Sequence, residues 1–202
     1  MHASRTSPLQ AWKATGELNL RAVRWAASAT LLLTALSGCG EAKKAEVRAP
    51  SAPPTIRLSS PAFRDRATLP KEFTCDGART SPPLEWSGVP RRAAELALVL
   101  EDPDAPGGTF THWTVLGIVP STSHIGPGSL PPGARAGRNS FGTTGYGPPC
   151  PPKGGGPHRY VFMLYALSRR SGLAAGASPS EVTGAVASAA IGQGRLTATY
   201  RR

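Results

Sequence analysis

Residues 137–167 read GRNSFGTTGYGPPCPPKGGGPHRYVFMLYAL and fall into two unlike halves. Up to Pro157 the stretch is crowded with Gly and Pro; from His158 onward it is an apolar run with Tyr160 near its start. Gly tolerates positive φ and close backbone approach, whereas Pro fixes φ and donates no N–H. Tyr146-Gly-Pro-Pro-Cys-Pro-Pro-Lys153 is therefore stiff, irregular and unable to pair as a central strand. Arg159–Ser168 (RYVFMLYALS), by contrast, is rich in β-branched and aromatic residues and predicts a strong strand. An irregular loop carried on a rigid strand is a common place for a binding site. This stretch is expected to form one wall of a pocket.

Outward from it, the other strand candidates are short and separated by turn residues. Thr55–Ser59 and Thr68–Phe73 come first, the second demoted to an edge or irregular piece by Pro70. Leu84–Trp86 follows. Glu95–Glu101 (ELALVLE) is continuously apolar between charged ends, as a buried sandwich strand is, and Thr111–Val119 (THWTVLGIV) is a third strong strand. Near the C-terminus Ser178-Pro179-Ser180-Glu181 opens a helix: Ser178 suits the N-cap, Pro179 the first turn and Glu181 the capping-box position. That helix is expected to reach about Ala190, to be stopped by Gly192 and Gly194, and to be followed by a short strand over Arg195–Tyr200. The 23 Gly and 21 Pro among 202 residues show no triplet period, which excludes collagen. The fold class is mainly β: a β-sandwich with one or two short peripheral helices.

The first 38 residues read as a leader. Arg21 and Arg24 precede an apolar stretch, Trp25 to Gly38, that is too short to span a bilayer. It ends in Leu36-Ser37-Gly38-Cys39, which resembles the bacterial lipoprotein box, where the signal is removed before a Cys that becomes lipidated. Residues 39–55 combine Ala, Pro and charge with almost no large apolar side chains and read as a tether. Residues 56–202 are then the folded domain of an exported protein, lipid-anchored at Cys39 to the bacterial envelope and facing the periplasm or the cell exterior. The formal charge is +11, and +8 without residues 1–38 (19 basic, 11 acidic). These charges are scattered rather than clustered, so no nucleic-acid partner is expected.

Three polar positions stand at the ends of the strong strands. Side chains alternate along a strand, so Leu96, Leu98, Leu100 and Asp102 share a side if the strand persists into Asp102-Pro-Asp-Ala-Pro106. His112 opens the next strand, and His158 and Tyr160, two apart, face the same way. Each has a plainer reading: Asp102 as part of a turn, each His as a half-buried strand-end residue. Together an Asp, two His and a Tyr suit a phosphate-like anion, with imidazolium and phenol donating and the carboxylate orienting an imidazole. The same set suits a metal or acid–base catalysis. No H-E-x-x-H, G-x-S-x-G or Walker pattern is present to choose an enzyme class.

The chain resembles the phosphatidylethanolamine-binding protein family, in its bacterial Raf-kinase-inhibitor-like branch. The matching pieces stand in order: Phe73-Thr-Cys-Asp-Gly77, Ser81-Pro-Pro-Leu-Glu-Trp-Ser-Gly-Val-Pro90, Asp102-Pro-Asp-Ala-Pro106, Thr111-His-Trp113, Gly137-Arg-Asn139, Gly145-Tyr146, Pro149-Cys-Pro-Pro152 and Pro157-His-Arg-Tyr160. The resemblance implies a β-sandwich with a small anion pocket formed by Asp102, His112, His158 and Tyr160, rimmed by the backbone at Cys150 and Pro151. It implies phosphate or a phospholipid headgroup as ligand; no cofactor and no resident metal are expected. One departure lies in the loop, where Pro148 follows Gly147 at a position the branch usually gives to Gly. Cys75 and Cys150 sit in loops that border this pocket by resemblance, and a disulfide between them is expected; two separate thiols are the alternative. Binding is the leading reading. A phosphoester hydrolase with a His base or metal, and an envelope protein–protein interaction module, are the competing ones.

Overall fold

A computed structural model describes residues 50–202. The expected leader, Cys39 and most of the expected tether lie outside the described residues. The strands are β1 (Arg57–Ser59), β2 (Leu84–Ser87), β3 (Glu95–Asp102), β4 (Phe110–Ile118), β5 (His124–Ile125), β6 (Arg135–Ala136) and β7 (His158–Leu167). A helix, α1 (Pro179–Ala189), and β8 (Ala190–Tyr200) complete the chain. β1, β2 and β5 form a three-stranded sheet in the order β1-β2-β5, and the other five form a sheet in the order β6-β4-β3-β7-β8. The paired strands are antiparallel.

The continuous apolar run in β3 follows from its position. Leu96, Leu98 and Leu100 point between the sheets, where they join Leu58, Leu84, Trp86, Trp113, Phe162 and Leu196. Ala97 and Val99 point the other way, into a second cluster with Tyr165 and Leu167 of β7 and Val182, Val186 and Ala189 of α1. A strand covered on both faces offers few positions for a polar side chain until its cover thins. Polar residues resume at its end, with the half-buried Glu101 and the buried Asp102.

The start of α1 is built as the sequence predicts. Ser178 Oγ accepts from Glu181 N, and Ser178 N donates to Glu181 Oε2 at 2.8 Å, with Pro179 in the first turn. Of the two forms left open for Thr68–Phe73, edge strand or irregular piece, the second is found: Thr68 makes one bridge to Thr199, and after Pro70 the chain turns through a 3-10 helix at Lys71–Phe73. Pro70 cannot donate to a ladder, and its fixed φ leads into the turn instead. One expectation needs correction: the last strand is not short. The helix ends ahead of Gly192 and Gly194, at Ala190, whose backbone is already extended (φ −66°, ψ 128°), and β8 runs eleven residues along β7. The two glycines lie inside this strand because the N-terminal segment crosses it there. A Cβ on Gly192 would stand 2.4 Å from Thr55 Oγ1, and one on Gly194 2.7 Å from the Ile56 carbonyl. Ile56 N donates to the Gln193 carbonyl at this crossing, at the opposite end of β7 and β8 from His158.

Glycine replacement is expected to have opposite outcomes at such a close approach and at an open position. Gly194→Ala is expected to lower unfolding free energy by about 1–3 kcal/mol, as overpacking does. Gly184→Ala in α1, where a Cβ meets nothing within 4 Å, is expected to raise it by up to about 1 kcal/mol. Urea denaturation of the two variants beside the wild type checks both signs.

Candidate functional site

The sheet order places β4, β3 and β7 side by side, and their site-bearing ends coincide. Asp102 pairs in register with Phe110, two residues before His112, while Glu101 pairs with Val161, next to Tyr160. Asp102, His112 and Tyr160 are buried, and His158 keeps 12% of its side chain exposed. His158 donates from Nδ1 to Asp102 Oδ2 at 2.7 Å. The other carboxylate oxygen accepts from Asp104 N at 2.9 Å, so Asp102 is held at both oxygens and His158 presents Nε2 as its remaining polar atom.

His112 is fixed by a different partner. Its Nδ1–H donates to the Gly147 carbonyl at 2.8 Å, and Gly147 N donates back to the His112 carbonyl at 2.7 Å. Burial holds the His112 imidazole below its ordinary 6.5 against the Gly147 bond and the Asp102 charge, both of which favour the protonated form. The Tyr160 ring stands edge-on to His112 with centroids 5.3 Å apart. Burial, and then the Asp102 charge, raise the Tyr160 phenol well above its usual 10. That hydroxyl lies near enough to Asp102 to feel its carboxylate, yet makes no hydrogen bond of ordinary geometry and is left buried without a partner. Such a group costs about 1–3 kcal/mol.

The Gly/Pro loop is organised by Asn139, a residue the sequence reading placed in a motif without a role. Its Nδ2 donates to Thr143 Oγ1 and the Gly145 carbonyl; its Oδ1 accepts from Phe141 N, Thr143 N and Thr143 Oγ1. An Asn that satisfies its own loop in this way is recognisable only once the loop is folded. Pro148 costs the site strand no bond, because the N–H that reaches His112 comes from Gly147. Cys75 and Cys150 form a disulfide with Cα atoms 5.3 Å apart, and Cys75 N donates to the Pro149 carbonyl. Closing a loop with a sequence separation of 75 contributes on the order of 4 kcal/mol in the chain-entropy view. Asp76 continues the clamp, accepting from Tyr200 Oη at 2.8 Å and pairing with Arg202. These contacts hold its carboxyl below the usual range, Tyr200 first. Cys150 is exposed and Pro151 buried.

Other polar groups fall outside the cluster. His124 lies on β5 in the other sheet, exposed and paired with Glu85. Asp104 receives Arg159 through Nε, Nη2 and the backbone N–H, and is held down to about 2 by that partner. Among the described residues no three His, Cys, Asp or Glu side chains converge as a metal site requires. Two surface clefts lie elsewhere: one of about 230 Å³ beside His124 and Leu130, and one of about 530 Å³ bordered by Arg66, Arg159 and Arg195.

The molecule is thus a two-sheet antiparallel sandwich with an Asp–His pair, a second buried His and an unpaired Tyr at one end of its larger sheet. The family follows from comparison: residues 59–201 match the model of the phosphatidylethanolamine-binding protein family, and the chain belongs to that family. It is 42% identical over 185 residues to a Mycobacterium tuberculosis protein named "Putative lipoprotein LppC", covering 84% of this chain and 91% of the relative. It is 43% identical over 152 residues to a UPF0098 protein of Methanothermobacter thermautotrophicus, covering 73% and 99%. Among solved structures, E. coli YbcL, described as a member of the mammalian PEBP family, superposes with a TM-score of 0.69 at 33% identity, over 73% of this chain and 99% of that one.

The His112 environment predicts a pH dependence. A His whose folded pKa lies below its unfolded value contributes stability above the unfolded value and loses it as pH falls through the folded one. Unfolding free energy is therefore expected to decline as pH drops below about 6.5. The decline should be shallower in His112→Gln. Parallel slopes for wild type and variant in urea melts between pH 7 and pH 5 would contradict the assignment.

Proposed function

We propose that this protein binds a phosphate-type anion, free or as a phospholipid headgroup, at Asp102, His112, His158 and Tyr160, with the backbone at Cys150 and Pro151 as rim. One observation carries the reading: the Tyr160 hydroxyl is buried without a partner beside an oriented Asp102–His158 pair. A ligand oxygen that accepts from Tyr160 Oη removes that cost, and an imidazolium held by Asp102 supplies a charge-assisted donor. Membership of a family that generally binds phospholipid-like ligands supports the same chemistry. His112, with Nδ1 committed to Gly147, has Nε2 to offer and donates there only after taking up a proton.

The chain is further proposed to be exported and anchored through lipid on Cys39, which the lipoprotein-named relative supports. Cys39→Ser is expected to move the protein from the membrane to the soluble fraction; unchanged membrane retention would count against the anchor.

The binding test is a titration with inorganic phosphate and phosphoethanolamine, followed by NMR at the His112 and His158 imidazoles. Saturable shifts are expected in the wild type, with affinity at least tenfold weaker in His158→Ala. Absence of saturable shifts in the wild type defeats the reading. Turnover of a phosphoester that disappears in His158→Ala would instead assign the Asp102–His158 pair to a general base.

A further inference from the structure

Phe141 is 52% exposed, yet it is held in place. Its backbone N donates to Asn139 Oδ1 at 3.0 Å. Its ring lies against Gly147, where an added Cβ would stand 2.6 and 2.7 Å from Cδ2 and Cε2. Edge-on contacts fix its orientation, with Phe110 at 4.7 Å and His112 at 5.6 Å between centroids. Phe110 in turn packs on His112 at 5.0 Å, and His112 on Tyr160 at 5.3 Å. The four rings form a connected shelf that runs from solvent at Phe141 to the buried, partnerless hydroxyl of Tyr160.

An exposed aromatic ring held rigid keeps apolar surface in water without the entropy a loose side chain retains. Covering it costs little further ordering, which is what a preorganised contact surface offers a ligand. The other large apolar side chains exposed among the described residues, Val119 and Leu130, take no part in these ring contacts. Phe141 is the one that touches the cluster. His112 touches Tyr160 on one side and Phe110 and Phe141 on the other, so a substituent that leaves an anion at Tyr160 past His112 meets these two rings next.

We infer that the Phe110–Phe141 shelf is a specificity element that selects phosphate esters bearing an alkyl or aryl substituent over bare phosphate. The inference rests on anion binding at the adjacent cluster. The pocket's polar end recognises the phosphoryl oxygens, and the shelf reads what is attached to them. Burying one CH₂ completely is worth about a fourfold change in affinity; half-covered against one aromatic wall it is worth about twofold. Butyl phosphate is accordingly expected to bind roughly tenfold tighter than methyl phosphate.

The test titrates the full chain with inorganic, methyl, butyl and phenyl phosphate, read at the His158 resonances, in wild type, Phe141→Ser and Phe141→Leu. A rising series in the wild type that flattens in Phe141→Ser and largely survives in Phe141→Leu supports the shelf. A flat series in a wild type that does bind phosphate overturns the shelf and leaves the anion site standing. So does a gain that persists in both Phe141→Ser and Phe110→Ser. Absence of saturable shifts for all four probes overturns the anion site, and the shelf with it. Should Phe141→Ser fail to fold, the wild-type series together with Phe110→Ser decides.

Discussion

β3 is apolar on both faces, and that single constraint locates everything else. Leu96, Leu98 and Leu100 require cover from the small sheet, Ala97 and Val99 require cover from α1, and both edges of the strand need partners. β4 and β7 supply the edges. Their site-bearing ends then fall beside Asp102, which follows Glu101 at the end of the covered stretch. The convergence of Asp102, His112 and Tyr160 is thus a consequence of packing the middle of the sheet.

The loop depends on the strand ends in turn. His112 and Gly147 exchange two hydrogen bonds, one from backbone to backbone and one from imidazole to carbonyl. A side chain at residue 147 would have to displace the Phe141 ring. The Gly therefore serves the site through the space it leaves, and the Pro residues after it stiffen the path to Cys150. On the other flank the disulfide, the Cys75–Pro149 bond and the Asp76–Arg202–Tyr200 contacts tie the 74–77 turn to both the loop and the end of β8. The rim is held from two sides, which limits the conformational entropy a ligand would have to remove.

How much of this could be read from residues alone differs from element to element. ELALVLE and RYVFMLYALS announce their strands because burial on two faces demands unbroken apolar runs, and the Ser178 capping box announces its helix by local chemistry. Pro70 marked Thr68–Phe73 as an edge or irregular piece, and the missing N–H of that residue is why the irregular form is the one adopted. Gly192 and Gly194 misled: glycine marks both chain reversal and close approach, and only the crossing of Thr55 and Ile56 distinguishes them. In the site, the Asp102, His158 and Tyr160 grouping was legible from strand ends and from family motifs. The Gly147 carbonyl as the partner of His112 was not, since backbone acceptors leave no mark on composition. Asn139 was named only within a motif, because its partners at Phe141, Thr143 and Gly145 meet it only once the loop is folded.

Asp102, His158 and His112 have their polar atoms directed by named partners, whereas Tyr160 has none. An isolated domain under selection for stability alone would gain from Phe at this position, because the ring packs equally well and the buried hydroxyl carries a desolvation cost of about 1–3 kcal/mol. His112 differs, because its Nδ1–H satisfies the buried Gly147 carbonyl and an apolar ring there would leave that acceptor unpaired. A buried phenol without a partner, beside an oriented Asp–His pair, is hard to explain as core packing. The proposed anion binding accounts for it, because an acceptor from outside the chain would complete Tyr160.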